Sequence, residues 1–158
     1  MAFYFAQINV ARAKYPLDDP RMSDFIENIP GINALAEESP GFVWRWVEEE
    51  DNRTVEVFGD KALVVNMSLW KSRDDLIHFT YKTGHSDIYK RRKEWFSNLE
   101  TSHLVCWYTQ NVEIELEEAK SRMYHLECKG ETPYAFTFKS EYSEKEVLEY
   151  LAANPSLL

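Results

Sequence analysis

The chain has 158 residues, of which 44% are hydrophobic and 15% aromatic, and its formal net charge is -9. This length suits one globular domain with a real core over residues 1–158, while the negative charge excludes nucleic acid and anionic membrane surfaces as expected partners. No apolar stretch reaches membrane-spanning length, and the two cysteines, Cys106 and Cys128, form neither a disulfide framework nor a metal-binding pattern, so we predict a cytoplasmic protein.

The first half of the chain predicts a strand, a helix and two more strands. Residues 3–10 alternate in side-chain direction with apolar groups on both faces, which is typical of a strand covered on both sides. The Asp-Pro pair at 19–20 marks the beginning of a helix, and the Pro-Gly pair at 30–31 is expected to interrupt it. A second strand over 41–47 and an acidic turn then form a hairpin with the apolar strand at 62–70.

The second half repeats the pattern of helix and strand. Ser72 is expected to cap a helix that buries Leu76 and Phe79, and a further helix is predicted from His85 to residue 96. A strand over 103–111 completes the order strand, helix, strand, strand, helix, strand. That order predicts an α+β fold of the ferredoxin-like class, an antiparallel sheet with the helices on one face.

The remaining segments predict a C-terminal helix and strand extension of the same domain. A helix is expected to end near Gly130, a short strand carries Tyr134 and Phe136, and a capping box formed by Ser143 and Glu146 begins a last helix. Because the strands are apolar on both sides, the second sheet face needs a cover. The simplest cover is a second copy of the sheet, which predicts a homodimer.

The segment from residue 70 to 96 holds the main cluster of candidate functional residues. At 100° per residue, a helix from His85 places six residues on one face: His85, Ile88, Tyr89, Arg92, Trp95 and Phe96. A helix N-terminus disfavours protonated His85, and the neutral imidazole can ligate iron or accept a proton. Arg92 can bind a carboxylate or a haem propionate. The alternative is an ordinary amphipathic helix with a locally bonded histidine and an arginine that reaches water.

Two asparagines are the secondary candidates. Asn9 and Asn66 bring amides into otherwise apolar strands, where they either bond to neighbouring polar groups or bind a ligand. Tyr89 and Trp95 can pack around a planar ligand, although aromatic residues at this spacing also build cores. The sequence contains no Ser-His-Asp arrangement, no glycine-rich phosphate loop and no cluster of metal ligands.

Four segments carry a family resemblance: INALAEESPGFVWRW at 32–46, SLWKSRDDLIHF at 68–79, H followed by YKRRKEWF within 85–96, and TPYAFTFK at 132–139. Together they resemble a bacterial domain family of unknown function in the dimeric α+β barrel superfamily, which includes antibiotic-biosynthesis and haem-degrading monooxygenases. The haem-degrading group uses a strand asparagine, a helix tryptophan and a helix histidine. Asn9 is similar to the first, Phe79 occupies the tryptophan position, and counting from Trp70 brings Tyr89 rather than His85 to the histidine position.

The resemblance implies a ferredoxin-like dimeric α+β barrel that binds a hydrophobic small molecule, with monooxygenase-type oxidoreductase activity that uses either haem or no cofactor. His85 is then the ligand to haem iron or the catalytic base, and no other metal site is expected. Six residues are expected around the bound molecule: Arg92, Asn9, Asn66, Tyr89, Phe79 and Trp95. The alternative is a non-catalytic dimer that binds a small molecule or has a structural role.

Overall fold

The computed structural model describes residues 2–48, 52–82, 85–97 and 104–158, without the side chains of His85, Ser86 and Tyr89. The strands are β1 (Tyr4–Ala13), β2 (Phe42–Arg45), β3 (Leu63–Trp70), β4 (Phe96–Ser97) and β5 (Leu104–Thr109). The α-helices are α1 (Ser23–Glu38), α2 (Arg53–Phe58), α3 (Arg73–Lys82), α4 (His85–Lys90), α5 (Leu116–Lys129) and α6 (Glu144–Ala153). Three short 3-10 turns lie at Pro20–Met22, Arg92–Glu94 and Pro155–Leu157. None of the helices in these described ranges is both long and apolar enough to cross a membrane.

The sheet has the predicted ferredoxin-like topology. Its strands lie in the order β2, β3, β1, β5 and all the pairs are antiparallel, while the short β4 pairs with the far end of β1. Leaving α2, α4 and β4 aside, the chain order β1, α1, β2, β3, α3, β5 is the predicted alternation of strands and helices. The predicted fold class is therefore confirmed.

One face of the sheet packs against α1 and α3. Phe5 of β1 lies opposite Trp70 of β3, and their side chains join Leu76 and Phe79 of α3 in one buried cluster. Local sequence explains why α3 begins where it does, because the hydroxyl of Ser72 accepts a 3.1 Å hydrogen bond from the backbone N–H of a first-turn residue. This face also carries the polar side chains described below.

The other face is covered by the chain itself. Ala6 and Ile8 of β1 are fully buried in a cluster with Leu116, Ala119 and Leu126 of α5. The apolar character of both strand faces is therefore satisfied within one chain, which removes the need for a second sheet from which the sequence analysis inferred a homodimer.

Three local features of the first half differ from the predicted pattern. Phe42 pairs with Trp70 but Trp44 pairs with Leu69, and this irregularity turns Phe42 and Trp44 to opposite faces although simple alternation predicts one face. The helix α1 continues through Pro30, so the predicted interruption is wrong. The sequence analysis also misses α2 between the paired strands β2 and β3.

The predicted helix from His85 to residue 96 is too long. The helix α4 ends at Lys90, a 3-10 turn follows, and Phe96 belongs to a strand in which it pairs with Ala13. Pairing with β1 satisfies the backbone groups of Phe96, and this non-local gain ends the helix. The six residues that the sequence analysis placed on one helical face therefore do not share one.

The C-terminal extension follows the prediction except for its strand. The α5 helix ends at Lys129 with Gly130 as its cap, and the capping box of Ser143 and Glu146 is present at the beginning of α6. The predicted strand around Phe136 is a single antiparallel bridge to Cys106 at the edge of β5.

Candidate functional site

A cleft of about 700 Å³ opens between α1, the facing side of β1 and β3, and the chain around α4. Its apolar wall comes from several elements and includes Phe25, Ile29, Ile32, Val64, Ile88 and Phe96. Asparagine side chains interrupt this wall on α1 and on the sheet, at Asn28, Asn33, Asn9 and Asn66. The cleft is therefore apolar with neutral hydrogen-bonding groups set into it.

The cleft exists because α1 is anchored near its ends and stands away from the sheet between them. Met22, which precedes the helix, is fully buried with Trp95, and Ala36 near the other end is buried with Trp70. Ala36 is the buried residue of α1 itself, and Ile29 in the middle is only half-buried. A helix fixed in this way leaves space above the sheet.

A hydrogen-bond network holds the floor of the cleft. The amide Nε2 of Gln7 donates to Asn66 Oδ1 at 2.8 Å and to Ser68 Oγ at 2.9 Å, and the indole Nε1 of Trp70 donates to the same Ser68 oxygen at 2.9 Å. Gln7 is 5% exposed and Asn66 faces the cleft directly opposite Asn9. Because its oxygen is engaged by Gln7, Asn66 presents its Nδ2 donors away from the network.

A smaller cavity of about 70 Å³ lies beyond the asparagine pair, under α3. It shares Asn9 and Asn66 with the cleft, and its other lining residues include Gln7, Ser68 and Phe79. At roughly 30 Å³ of liquid volume per water, this space suits about two water molecules or one small polar group. The two spaces meet at the asparagine pair, which can therefore contact a ligand from either side.

Basic residues lie at both ends of the cleft. Arg45 of β2 forms an ion pair with Glu37 of α1, with 2.7 Å between Nε and Oε1. Arg92 and Lys93 belong to the 3-10 turn at the opposite end, and Glu48 is the carboxylate among the lining residues. Among the described residues, the lining therefore carries three cations and one anion, a formal charge of +2 in a chain whose total is -9.

The carboxylates near this turn are paired with a different arginine. Arg91 forms ion pairs with Glu94 at 2.8 Å and with Asp24 of α1 at 2.9 Å. The hydrogen bond to Glu94 raises the pKa of Arg91 most, and the hydrogen bond to Asp24 raises it further. These contacts also tie α1 to the 3-10 turn and so fix the width of the cleft at this end.

A family model for a domain of unknown function, DUF3291, matches residues 4–152 of the chain. The chain belongs to the DUF3291 family. None of the curated proteins matches it. A solved structure from Chloroflexus aurantiacus J-10-fl, described as a candidate antibiotic biosynthesis monooxygenase, is similar over 71% of this chain and 96% of its own, with 14% identity and a TM-score of 0.44. This distant likeness carries no assignment of activity to the DUF3291 chain.

The predicted site residues of this DUF3291 chain fall in three places. Asn9, Asn66 and Arg92 line the cleft. Phe79 lies at the smaller cavity, stacked on a tryptophan ring with 5.1 Å between centroids. Trp95 is 1% exposed and packs in the core cluster below the cleft.

The remaining two predicted residues, His85 and Tyr89, have backbones in α4 and side chains outside the described part of the structure. Their predicted roles stay predictions. The contribution of α1 to the cleft was not predicted from the sequence. Its signal was present in the helical spacing of Asn28, Ile29, Ile32 and Asn33, which places amides beside isoleucines on one face.

The described lining of the cleft does not fit haem. Axial ligands to haem iron come from histidine, cysteine, methionine or tyrosine, and the lining residues in the described ranges include none of these types. The same ranges contain no group of three or more histidine, cysteine or acidic side chains that could hold a metal ion. Haem ligation by His85 therefore remains a prediction from sequence.

Proposed function

We propose that this DUF3291 protein binds a small hydrophobic molecule in the cleft between α1 and the sheet. The observation that supports the proposal is a cleft of about 700 Å³ with an apolar wall and an amide floor. Ligand sites in proteins typically have about 300–1,000 Å³, mostly apolar walls and a few polar groups that fix orientation. The cleft has each of these properties.

The apolar wall supplies the affinity. Phe25, Ile29 and Val64 are only half-buried, so a ligand that covers them removes hydrocarbon from water. Each square ångström of apolar surface covered contributes roughly 25 cal/mol before the entropic cost of binding. A molecule with a sizeable hydrocarbon part is therefore preferred over a fully polar one.

The amide floor supplies the orientation. Gln7 is buried and holds Asn66 through its oxygen, which leaves the Nδ2 donors of Asn66 for a ligand oxygen. Asn9 lies directly opposite on β1 and adds a second amide. A hydroxyl or carbonyl oxygen on the ligand is expected to lie against this pair.

Filling the cleft tests the proposal. N-phenyl-1-naphthylamine, a neutral apolar dye that fluoresces when it leaves water, serves as the ligand. Ile29→Trp places an indole in the cleft and is expected to weaken dye binding at least about tenfold, equivalent to 1.4 kcal/mol. Ala34→Trp places the same indole on the exposed side of α1 and is expected to leave binding unchanged. Equal affinities for the two variants would place the dye elsewhere and contradict the proposal.

Monooxygenase-type oxidation of the bound molecule is the finer part of the proposal. It is supported by the family resemblance and by Asn9, the strand asparagine of that resemblance, which lines the cleft. The haem version is tested by adding haemin and recording the Soret band of wild type, His85→Ala and the control His78→Ala, whose histidine is exposed on α3. The haem version expects a shifted band that only His85→Ala abolishes, whereas the cofactor-free version expects no shift. An unchanged spectrum of free haemin would rule the haem version out.

Homodimerisation is also part of the proposal, and the family resemblance supports it. One chain has a mass of 18.7 kDa, so a dimer has twice 18.7, or 37.4 kDa. Light scattering of the purified protein distinguishes the two masses. A mass near 18.7 kDa across the accessible concentrations would contradict dimerisation and leave ligand binding untouched.

A further inference from the structure

The charge of the cleft is opposite to that of the protein. The described lining residues carry a formal charge of +2 within a chain of -9, and the lining cation Arg45 is paired with Glu37 just outside the lining. A positively charged cleft in a negatively charged protein attracts an anionic ligand to the cleft. The cleft therefore favours an anion over a neutral or cationic ligand of equal size.

The carboxylate among the described lining residues is already engaged. Glu48 accepts hydrogen bonds from both the backbone N–H, at 3.2 Å, and the hydroxyl of Thr54, which follows the acidic turn. At the same end, Glu37 bonds to the guanidinium of Arg45. Glu48 and Glu37 thus bond to partners within the protein, and these two carboxylates do not prepare the cleft for a cationic ligand.

The opposite end of the cleft is a basic turn. Lys93 lines the cleft, and its carbonyl oxygen accepts a 2.5 Å hydrogen bond from the ammonium group of Lys14, which brings a second lysine to the turn. The nearby carboxylates Asp24 and Glu94 bond to Arg91, which is not a lining residue. Lys93 therefore contributes a positive charge to the lining at this end, and the described contacts of Asp24 and Glu94 are with Arg91.

The basic turn and the amide floor lie at a distance from each other, and the surface between them is apolar. Asn9 lies four residues before Ala13, which pairs with Phe96 next to the basic turn. At about 3.3 Å per residue, the two polar regions are roughly 13 Å apart along β1. Hydrocarbon side chains, including Val64 and Phe96, line the space between them.

We infer that the ligand of the cleft is an apolar carboxylic acid, with its carboxylate at the turn of Arg92 and Lys93 and its hydrocarbon body along the apolar wall toward Asn9 and Asn66. This inference rests on the proposed function and adds the chemical class of the ligand. The spacing suits a medium-length acyl chain or a short fused-ring system.

A matched pair of ligands tests the inference. Decanoate and 1-decanol have the same hydrocarbon length and differ in charge, and each is titrated against the bound dye N-phenyl-1-naphthylamine. Decanoate is expected to displace the dye at a lower concentration than decanol. This difference is expected to shrink as the salt concentration is raised, because Arg92 and Lys93 are exposed to solvent.

Single substitutions locate the carboxylate. Lys93→Gln is expected to weaken the binding of decanoate by about two- to fivefold, the range of an exposed ion pair, and to leave the binding of decanol unchanged. Lys93→Arg keeps the charge and is expected to keep most of the affinity. Lys90→Gln is the control. Lys90 lies three residues before Lys93 and is not among the lining residues, so this substitution removes an equal charge from outside the cleft.

The outcomes separate the inference from the proposed function. Equal displacement by decanoate and decanol, or stronger displacement by decanol, overturns the inference and leaves a neutral hydrophobic ligand in the cleft. Displacement by neither compound overturns both. Equal losses for Lys93→Gln and Lys90→Gln also overturn the inference, because the preference for the acid then comes from overall charge.

Discussion

Replacing Leu116 with alanine is expected to destabilise the protein strongly, because this side chain connects α5 to the sheet. Leu116 is fully buried and belongs to the same cluster as Ile8 and Trp107 of the strands. If a second subunit covered this sheet face instead, α5 would lie elsewhere and the same substitution would have little effect. The experiment therefore tests how the second face is covered.

The magnitude follows from the burial. Truncating a fully buried leucine costs about 2–5 kcal/mol, so we expect a loss of about 3 kcal/mol for Leu116→Ala. In a domain of this size each kcal/mol lowers Tm by about 2–4 °C, which predicts a fall of about 6–12 °C. Leu148→Ala on α6 is the control, because Leu148 is 53% exposed and its truncation is expected to change stability by less than about 0.5 kcal/mol.

Urea unfolding followed by tryptophan fluorescence measures both variants. The expected result is a large loss for Leu116→Ala and almost none for Leu148→Ala, with the same dependence on urea concentration as the wild type. A loss below about 1 kcal/mol for Leu116→Ala would refute the packing of α5 against the sheet.

Three further predictions concern single residues. Gly41→Ala is expected to destabilise the protein by more than about 1 kcal/mol, because Gly41 has a φ of 83°. Gly31→Ala in α1 is expected to stabilise it by about 0.5–1 kcal/mol, because no atom lies within 4 Å of the Cβ that the alanine would add. Equal urea midpoints for the two variants would refute this prediction. Burial and two neighbouring cations lower the pKa of His125, so its contribution to stability is present above about pH 6.5 and is lost as the pH falls toward the folded pKa. His125→Gln is therefore expected to lose less stability than wild type between pH 8 and pH 5, and parallel losses would count against it. Ellman's reagent is expected to find one fast thiol, the exposed Cys128, because Cys106 is inaccessible and burial raises its pKa; two fast thiols in the native protein would contradict its burial.

The order of strands and helices along the chain was predictable because it depends on local patterns. Alternation marks the strands, and the capping box of Ser143 and Glu146 marks the last helix, so each is readable within a few residues. The cover of the second sheet face was not predictable in this way. The apolar stripe of α5 was visible, but no local pattern states which of several apolar surfaces meets another.

The candidate site was predictable where polar groups interrupt apolar strands. Asn9 and Asn66 stood out for that reason, and both line the cleft. The helix from His85 was overextended because Arg92 and Trp95 fit helical spacing. What ends that helix is the pairing of Phe96 with β1, a contact between distant parts of the chain that periodicity does not register.

Methyl spectra of isoleucine-labelled protein test the central claim, ligand binding in the cleft, most directly. Ile29 and Ile88 line the cleft, whereas Ile8 and Ile114 are buried in the core on the other side of the sheet. Bound N-phenyl-1-naphthylamine is expected to shift the methyl signals of Ile29 and Ile88 through its ring currents and to leave those of Ile8 and Ile114 in place. Saturable shifts confined to Ile8 and Ile114, or no shifts at all, would contradict the claim.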